Sequence, residues 1–190
     1  MSEGLPLLIL FGSQSGNAED LASKAAKQGA QLGLSATVKG MDEIQLGELP
    51  GFQRVLIYCS TWGEGEQPDN AEDLWQAASA DGAPSMAGCH FAVCALGDTS
   101  YEFFCESGKE WDGWFEKQGA TRLVPRLDCD VDYDKPAAEF TNKALSHLAA
   151  VGADGVYVEA NVGTTSGGPS ATQPQSTDES ATIANEVELV

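Results

Sequence analysis

Residues 7–20 read Leu-Leu-Ile-Leu-Phe-Gly-Ser-Gln-Ser-Gly-Asn-Ala-Glu-Asp, a stretch in which an apolar run changes abruptly to small polar residues. Leu7 to Phe11 has the composition of a buried strand. A helical pattern follows from about Asn17, with Leu21 and Ala25 on one face. The stretch therefore predicts a strand, a loop and a helix in succession. Open α/β sheets bind ligands at the carboxyl ends of their strands, so this loop is a candidate binding site.

The composition of the loop favours a phosphate ligand. Ser13, Ser15 and Asn17 offer neutral donors, and the backbone N–H groups of a helix N-terminus point into the same space. The loop has no Lys, so it is not a P-loop, and it lacks the G-x-G-x-x-G and G-x-S-x-G patterns of dinucleotide-binding proteins and hydrolases. A loop without a cation suits a single terminal monophosphate. The alternative is an ordinary strand-to-helix turn that binds nothing.

Strand and helix patterns alternate along the rest of the chain. Because apolar strands separated by helices form parallel sheets covered on both faces, the sequence predicts an α/β fold. Five such units favour a doubly wound, five-stranded parallel sheet with the order 2-1-3-4-5. The predicted strands are 7–11, 36–39, 54–59, 90–96 and 122–128, and the predicted helices are 17–32, 70–80, 106–118 and 135–150, with a weaker helical turn at 41–46.

Charge and cysteine content exclude several classes of protein. The 190 residues include 29 acidic and 10 basic side chains, a net charge of −19, which disfavours nucleic acid as a partner. The charge suits a basic protein partner, or alternatively a salt-adapted surface. The five Cys form no C-x-x-C pair, which argues against a disulfide framework or a zinc site and for a reducing compartment. The start of the chain has no basic n-region or membrane-spanning run, so we expect a cytoplasmic protein without membrane contacts.

The chain divides near residue 152. Residues 5–152 are predicted to form the α/β domain. Residues 153–190 are acidic and rich in Gly, Ser, Thr and Pro, with no Lys or Arg, as in a solvated linker. We expect this tail to be disordered, although its last apolar residues, from Ile183 to Val190, form an alternative short docking element.

Two further loops follow predicted strands and each carries a large aromatic residue. Trp62 lies in the loop after the third strand, and Tyr101 lies in the loop after the fourth. In the order 2-1-3-4-5 these loops meet the first one over a single crevice. Two aromatic rings that face each other across it would enclose a planar ring system, because a large aromatic side chain in a polar loop is costly to leave in water. The alternative is that each ring packs down onto the sheet.

Three motifs in this order resemble the FMN-binding loops of flavodoxin-like domains. They are Ser13-Gln14-Ser15-Gly16-Asn17-Ala18, Ser60-Thr61-Trp62-Gly63-Glu64-Gly65 and Leu96-Gly97-Asp98-Thr99-Ser100-Tyr101-Glu102-Phe103-Phe104-Cys105. The resemblance covers roughly residues 5–150. It is strongest to the FMN domain of diflavin reductases, above all the NADPH sulfite reductase flavoprotein subunit, and it continues through Glu106–Asp112 and Leu127–Tyr133. The Trp at position 62 departs from the diflavin pattern and is more usual in free flavodoxins.

The resemblance implies a non-covalently bound FMN. Residues 13–18 would hold the phosphate, Trp62 and Tyr101 would flank the isoalloxazine, and the carbonyl of Gly63 would face flavin N5. No catalytic residue and no metal ligand is implied. The implied cofactor-binding residues are Ser13, Gln14, Ser15, Gly16, Asn17, Ala18, Ser60, Thr61, Trp62, Gly63, Leu96, Gly97, Asp98, Tyr101, Phe103, Phe104 and Cys105.

The function implied by this resemblance is single-electron transfer. An FAD/NADPH reductase domain would be the donor, and a haem or iron-sulfur protein such as sulfite reductase would be the acceptor. On its own the chain would be a carrier, and within a diflavin reductase it would be part of an NADPH-dependent oxidoreductase. The alternatives are a stand-alone flavodoxin or a flavodoxin-like NAD(P)H:quinone reductase. A response-regulator receiver is disfavoured, because Gly12 and Ser13 stand where its acidic pair belongs and Cys59 and Ser60 where its phosphoacceptor belongs.

Overall fold

A computed structural model describes residues 4–163. Its core is a parallel sheet in the order β2-β1-β3-β4-β5, which confirms the predicted order. The strands are β1 (Leu5–Gly12), β2 (Leu34–Gly40), β3 (Arg54–Ser60), β4 (His90–Leu96), β5 (Thr121–Arg122) and β6 (Leu127–Cys129). The helices are α1 (Asn17–Gln31), α2 (Asp69–Ser79), α3 (Glu106–Lys117) and α4 (Asp134–Ala149).

Helices cover both faces of the sheet, as continuous apolar strands require. Successive side chains of a strand point to opposite faces, so β1 contributes Leu7 and Ile9 to one core, and Leu8 and Leu10 to the other. The first core includes the inner faces of α1 and α4, and the second includes those of α2 and α3. This sandwich fixes the strand ends from which the candidate binding loops emerge.

The fifth strand differs from its prediction. The segment 122–128 does not form one strand: β5 and β6 each pair with β4, and the backbone leaves the ladder between them after the Leu123 N–H donates to the Phe91 carbonyl. Pro125 lies in this gap, and proline has no N–H to donate to a ladder. Ion pairs hold the interruption against α3, since Arg122 Nε lies 2.7 Å and Arg126 Nη1 lies 2.8 Å from the two carboxylate oxygens of Asp112.

The helical turn predicted at 41–46 is two 3₁₀ segments, Met41–Glu43 and Leu46–Gly51. In the first, the Glu43 carboxylate accepts the Gly40 N–H at 2.7 Å, and in the second the Glu48 carboxylate accepts the Gln45 N–H at 2.8 Å. Such acidic side chains satisfy N–H groups that a short helix leaves unpaired. The two turns carry the chain from the edge strand β2 back to the centre of the sheet.

The chain continues to contact the domain beyond the predicted boundary at residue 152. Val151 pairs with Tyr157 in an antiparallel bridge, and the Tyr157 hydroxyl lies 2.7 Å from His147 Nδ1. The ring of Tyr157 also lies 6.5 Å from that of His90, so both histidines of the chain occupy structural positions at this end of the sheet. The boundary remains a prediction, and residues 164–190 of the predicted tail lie outside the described residues.

No helix within residues 4–163 has the length and apolar character needed to cross a membrane.

Candidate cofactor-binding site

The loops after β1, β3 and β4 surround one crevice of about 510 Å³. These strands are neighbours in the sheet, and their carboxyl ends lie at the same edge. The volume lies in the ordinary range for a small-molecule pocket. The crevice is lined by Gln14, Ser15, Asn17, Ser60, Thr61, Trp62, Gly63, Leu96, Gly97, Asp98, Tyr101, Phe103, Cys105, Val131 and Tyr133.

Four of the predicted site residues do not line the crevice. Ser13 and Gly16 shape the first loop from within, and Ala18 is fully buried in the core beneath it. Phe104 lies beyond the crevice, with the Lys109 ammonium 5.9 Å from the centre of its ring. The structure brings the other predicted residues together around the crevice.

The first loop is bent by its own side chains. Gly16 has φ of 88°, a left-handed conformation in which an L side chain would be strained. Its N–H donates to Ser13 Oγ at 2.9 Å, and its carbonyl accepts the Asp20 N–H at 3.0 Å as α1 begins. Ser15 and Asn17 are exposed on the open side of this bend. The loop therefore presents a helix N-terminus and neutral polar side chains to the crevice.

Helix α2 fixes this loop from the side, which the sequence did not reveal. The side chain of Asn70 accepts the Ser13 N–H at 2.8 Å and donates to the Phe11 carbonyl at 3.2 Å. Gln14 Nε2 donates to the Asp69 carboxylate at 2.9 Å, and Gln14 Oε1 accepts the Asp69 N–H at 3.1 Å. These four hydrogen bonds hold the loop in one conformation before any ligand binds.

The second loop is a tight hairpin that ends the strand β3. Trp62 and Glu66 exchange two backbone hydrogen bonds of 2.8 and 2.9 Å, which closes a loop over Gly63, Glu64 and Gly65. Both glycines have positive φ, 51° and 107°, as so short a reversal requires. Thr61 donates its N–H to the Leu96 carbonyl of β4 at 3.0 Å, so the hairpin starts from the centre of the sheet.

The third loop is held by acidic side chains. The carbonyl of Asp98 accepts the Tyr101 N–H at 3.1 Å, and its carboxylate accepts the Ser100 N–H at 2.8 Å. Thr99 donates its hydroxyl at 2.5 Å and its N–H at 3.1 Å to the Asp130 carboxylate, and these bonds hold the pKa of Asp130 below its ordinary value. The segment after β6 thus anchors the loop that carries Tyr101.

Neither aromatic ring packs down onto the sheet, so that alternative is wrong. Trp62 is 53% exposed and Tyr101 is 59% exposed, although both belong to loops with defined hydrogen bonds. Large aromatic rings left in water next to a cavity indicate a planar, partly apolar ligand.

Comparison with known proteins gives the family. Residues 9–141 match the family model described as flavodoxin. The chain belongs to the flavodoxin family. Members of this family bind FMN, and the chain is a flavodoxin-like FMN-binding domain, which confirms the predicted fold and cofactor.

Curated relatives support the resemblance to sulfite reductase flavoproteins. The chain is 46% identical over 144 residues to the sulfite reductase [NADPH] flavoprotein alpha-component of Bacillus subtilis (strain 168), with 76% of this chain and 24% of that protein covered. It is 42% identical over 142 residues to the protein of the same name from Aliivibrio fischeri, covering 75% and 24%. The chain spans about a quarter of the length of these relatives.

Solved structures share the fold at a greater distance in sequence. A single-residue mutant of flavodoxin from Pseudomonas aeruginosa aligns with a TM-score of 0.62 and 33% identity, over 74% of this chain and 99% of that one. Flavodoxin from Streptococcus pneumonia TIGR4 aligns with a TM-score of 0.68 and 25% identity, over 76% and 98%.

The donor set of the crevice fits the flavodoxin cofactor. No Lys or Arg lines it, and the phosphate end offers a helix N-terminus with Ser15 and Asn17. Neutral donors of this kind suit a phosphate group. The other end offers Trp62 and Tyr101 for a planar ring system. Residues 13–18 would therefore hold the phosphate of FMN, and the two aromatic residues would contact its ring.

A layer of buried thiols underlies the crevice. All five cysteines are free, and Cys105 lines the cavity in a left-handed conformation, with φ of 58°, as it starts α3. Its Sγ lies 3.5 Å from the Cys129 carbonyl, and Cys129 Sγ lies 3.9 Å from Cys94 Sγ. Burial raises the pKa of the Cys105 thiol to about 12, so it is neutral at physiological pH and adds no charge to the crevice floor.

Sequence reasoning missed two lining residues, Val131 and Tyr133. They follow β6, the last strand of the sheet, and Val131 is 61% exposed. The signal was available, since every strand of an open α/β sheet delivers its following loop to the same edge. Because the fifth strand was predicted as one continuous segment, the loop that follows β6 was not recognised as part of the site.

Proposed function

We propose that the chain carries single electrons by means of FMN held between Trp62 and Tyr101. The observation that carries this proposal is the meeting of three loops around one crevice, with neutral donors at one end and two exposed aromatic rings at the other. Bound FMN supplies the redox chemistry, because its ring accepts and releases electrons one at a time. The described residues need only bind it, orient it and leave one edge accessible.

The rigidity of the loops supports a carrier rather than a catalyst. Gln14, Asn70 and Thr99 make the hydrogen bonds that fix the loop backbones, and none of them is placed as a general acid or base. A site that is ordered in advance changes little when charge is added, and so the reorganisation needed for electron transfer is small. Burial raises the pKa of the Cys59 and Cys105 thiols, so neither of them supplies a thiolate nucleophile at physiological pH.

Recognition of the phosphate is tested by comparing FMN with riboflavin. The exposed Ser15 lies at the helix N-terminus, so Ser15→Asp places a negative charge against the phosphate. We expect the apoprotein to bind FMN more tightly than riboflavin, and Ser15→Asp to weaken FMN by about tenfold or more with little effect on riboflavin. Flavin fluorescence titration measures both dissociation constants. Equal affinities of the wild type for the two flavins would contradict the proposal.

The relatives suggest the partners. Their names join NADPH, sulfite reductase and a flavoprotein, and this chain matches about a quarter of their length. We propose that the chain receives electrons from an FAD- and NADPH-binding reductase and passes them to a haem or iron-sulfur protein such as sulfite reductase. Glu64 and Glu66 at the hairpin, with Asp98 and Glu102 in the third loop, give the crevice an acidic rim.

The rim predicts a basic partner surface and a dependence on salt. Attraction between exposed charges is screened beyond ~10 Å at 0.1 M salt, so the rate of electron delivery to a basic acceptor should fall as salt is added. Replacing Glu64 and Glu66 together by Lys should slow delivery further without loss of FMN. Stopped-flow rates with cytochrome c test both statements. If neither salt nor the double substitution changed the rate of electron delivery, the acidic rim would have no role in partner recognition. Steady oxidation of NADPH by the chain alone, with a quinone as acceptor, would instead favour a quinone reductase.

A further inference from the structure

Trp62 lines two cavities. One is the cofactor crevice, and the other is a second cavity of about 390 Å³. The second cavity is formed by the end of the hairpin, the first turns of α2 and Glu110 of α3. It is lined by Trp62, Gly65, Glu66, Gln67, Asp69, Glu72, Trp75, Gln76 and Glu110.

Glu110 differs from the other carboxylates of this cavity. Glu66, Asp69 and Glu72 are exposed, whereas Glu110 is half-buried, and no Lys or Arg lines the cavity. Its carboxylate accepts one hydrogen bond, from Gln67 Nε2 at 2.7 Å. A half-buried negative charge without a cationic partner is costly, so its retention at this position needs an explanation.

Gln67 connects this carboxylate to the hairpin. It is buried, and its Oε1 accepts the indole N–H of Trp111 at 3.0 Å, which fixes the orientation of the amide. Its chain neighbour Glu66 exchanges both backbone hydrogen bonds with Trp62. The Ser107 hydroxyl donates to the Glu66 carbonyl at 2.8 Å, so α3 holds the end of the hairpin at two points.

The surroundings of Glu110 raise the pKa of its carboxyl. Burial raises the pKa of this carboxyl above its ordinary value, the hydrogen bond from Gln67 lowers it, and the charge of Glu106 one turn earlier on α3 raises it again. The facing groups on other elements are the carboxylates of the hairpin and α2 and the neutral thiol of Cys59 behind Gln67. Every charged group that lines the cavity is therefore acidic.

We propose that Glu110 is a positioning residue of the cofactor site. It holds the Trp62 hairpin through Gln67, and it places a negative charge in the cavity that Trp62 also lines, where this charge disfavours the reduced cofactor. This inference rests on the proposed function. Reduction adds negative charge to the crevice, and like charges repel most strongly where burial keeps water away. Coupling between two sites is reciprocal. The charge of Glu110 therefore lowers the reduction potential of the cofactor, reduction of the cofactor raises the pKa of Glu110, and the two changes correspond to the same free energy.

The first test compares wild type with Glu110→Gln in the FMN-loaded protein. The amide retains an oxygen that accepts from Gln67 and removes only the charge, so the hairpin should stay in place. At pH 8 we expect a more positive midpoint potential for the step that adds charge. The difference should fall by more than half at pH 4.5, the ordinary glutamate value, because the wild-type carboxyl is then mostly protonated. Taking the difference cancels the titration of the cofactor itself.

Glu116→Gln is the matched control. Glu116 lies on the same helix, is exposed and pairs with Arg122 at 2.9 Å, so its removal changes net charge without changing the cavity. We expect no shift in potential. Equal potentials for wild type and Glu110→Gln at every pH would overturn the proposal. A difference that persists undiminished at low pH would also overturn it, since the effect would then be structural rather than electrostatic.

Two further readouts do not depend on that variant. In the wild type, carboxyl-carbon NMR should give a higher pKa for Glu110 in the reduced than in the oxidised protein, and identical values would contradict the coupling. Glu110→Ala removes the acceptor as well as the charge, and it should raise the FMN dissociation constant about fivefold, the change that one hydrogen bond typically supplies. Failure of the wild type to bind FMN would refute the proposed function, whereas normal FMN binding with no effect of Glu110 would refute this inference alone.

Discussion

The two ends of strand β3 use their polar groups differently. Arg54 begins the strand and is only 1% exposed, and its guanidinium donates hydrogen bonds to three backbone carbonyls. Trp62 lies two residues past the end of the same strand and is 53% exposed. One end of the sheet is therefore closed by its own hydrogen bonds, and the other is held open.

At the amino end the groups satisfy one another. Arg54 donates to the Val151 carbonyl at 2.7 Å, to the Gly152 carbonyl, and to the Pro6 carbonyl at 3.2 Å. These contacts tie β1 and β3 to the chain that follows α4, where a cation is favoured by the helix dipole. The ring of Tyr157 stacks on His147 nearby.

At the carboxyl end the hydrogen bonds fix the loop backbones and leave several crevice side chains unengaged. Asn70 and Asp130 hold the loops from outside the crevice, while Ser15, Trp62 and Tyr101 face it unengaged. The difference shows how one sheet divides its tasks: the closed end carries stability and the open end carries binding. If this division is correct, substitutions at the two ends should separate stability from cofactor affinity.

The largest expected effect is on stability, from Arg54→Met. The substitution leaves the buried Val151 carbonyl and the partly buried Pro6 and Gly152 carbonyls without the Arg54 donor, which costs ~2–4 kcal/mol of unfolding free energy. Urea denaturation measures the loss, and FMN affinity of the folded protein should change by less than about twofold. Lys143→Met removes an exposed cation from α4 and should change neither quantity. A large loss of FMN affinity in Arg54→Met would show that the two ends are not independent.

The converse effect is expected from Trp62→Ala and Tyr101→Ala. Stacking of an aromatic side chain on a base contributes ~1–3 kcal/mol, and we expect a comparable loss of FMN affinity for each. Stability of the apoprotein should change by less than ~0.5 kcal/mol, because both rings are exposed. Val156→Ala, which shortens an exposed side chain at the amino end, is the control. Unchanged FMN affinity in both aromatic variants would mean that the rings do not contact the cofactor.

The sequence predicted the central strands of the sheet better than the interrupted fifth strand. Apolar runs such as 54–59 and 90–96 have only one stable position, the buried centre of a parallel sheet, so their order and extent followed from pattern. The prediction of the fifth strand was wrong because the pairing there depends on Pro125 and on ion pairs with Asp112. Asp112 lies ten or more residues before its partners Arg122 and Arg126 in the sequence. Long-range polar contacts of that kind leave no periodic signal.

The site was predictable to the extent that it is made of loops next to strand ends. Ser15, Trp62 and Tyr101 follow adjacent strands, and the topology alone brings them together. The residues that hold the first loop were not predictable, because Asn70 and Asp69 have no distinguishing sequence signal until the fold places them beside it. Binding residues that directly follow a strand can be predicted from the sequence, whereas the helix residues that hold their loops in place cannot.

The smallest expected effect tests whether the open end depends on contact between its loops. Gly65 has φ of 107°, and a Cβ built on it would lie 2.8 Å from Cβ of Phe103, a crevice residue of the third loop. Gly82, in the turn after α2, has φ of 88° and nothing within 4 Å. Either glycine changed to Ala should lose ~1 kcal/mol of stability from backbone strain.

Only Gly65→Ala should also force the second and third loops apart, since Cβ atoms do not approach so closely. We expect the FMN dissociation constant to rise about tenfold in Gly65→Ala and to stay unchanged in Gly82→Ala. Flavin fluorescence titration of the two apoproteins gives the comparison, with urea denaturation as the check that both lose similar stability. Equal affinities would mean that the two loops bind the cofactor independently, and that the contact through Phe103 is incidental to the open end.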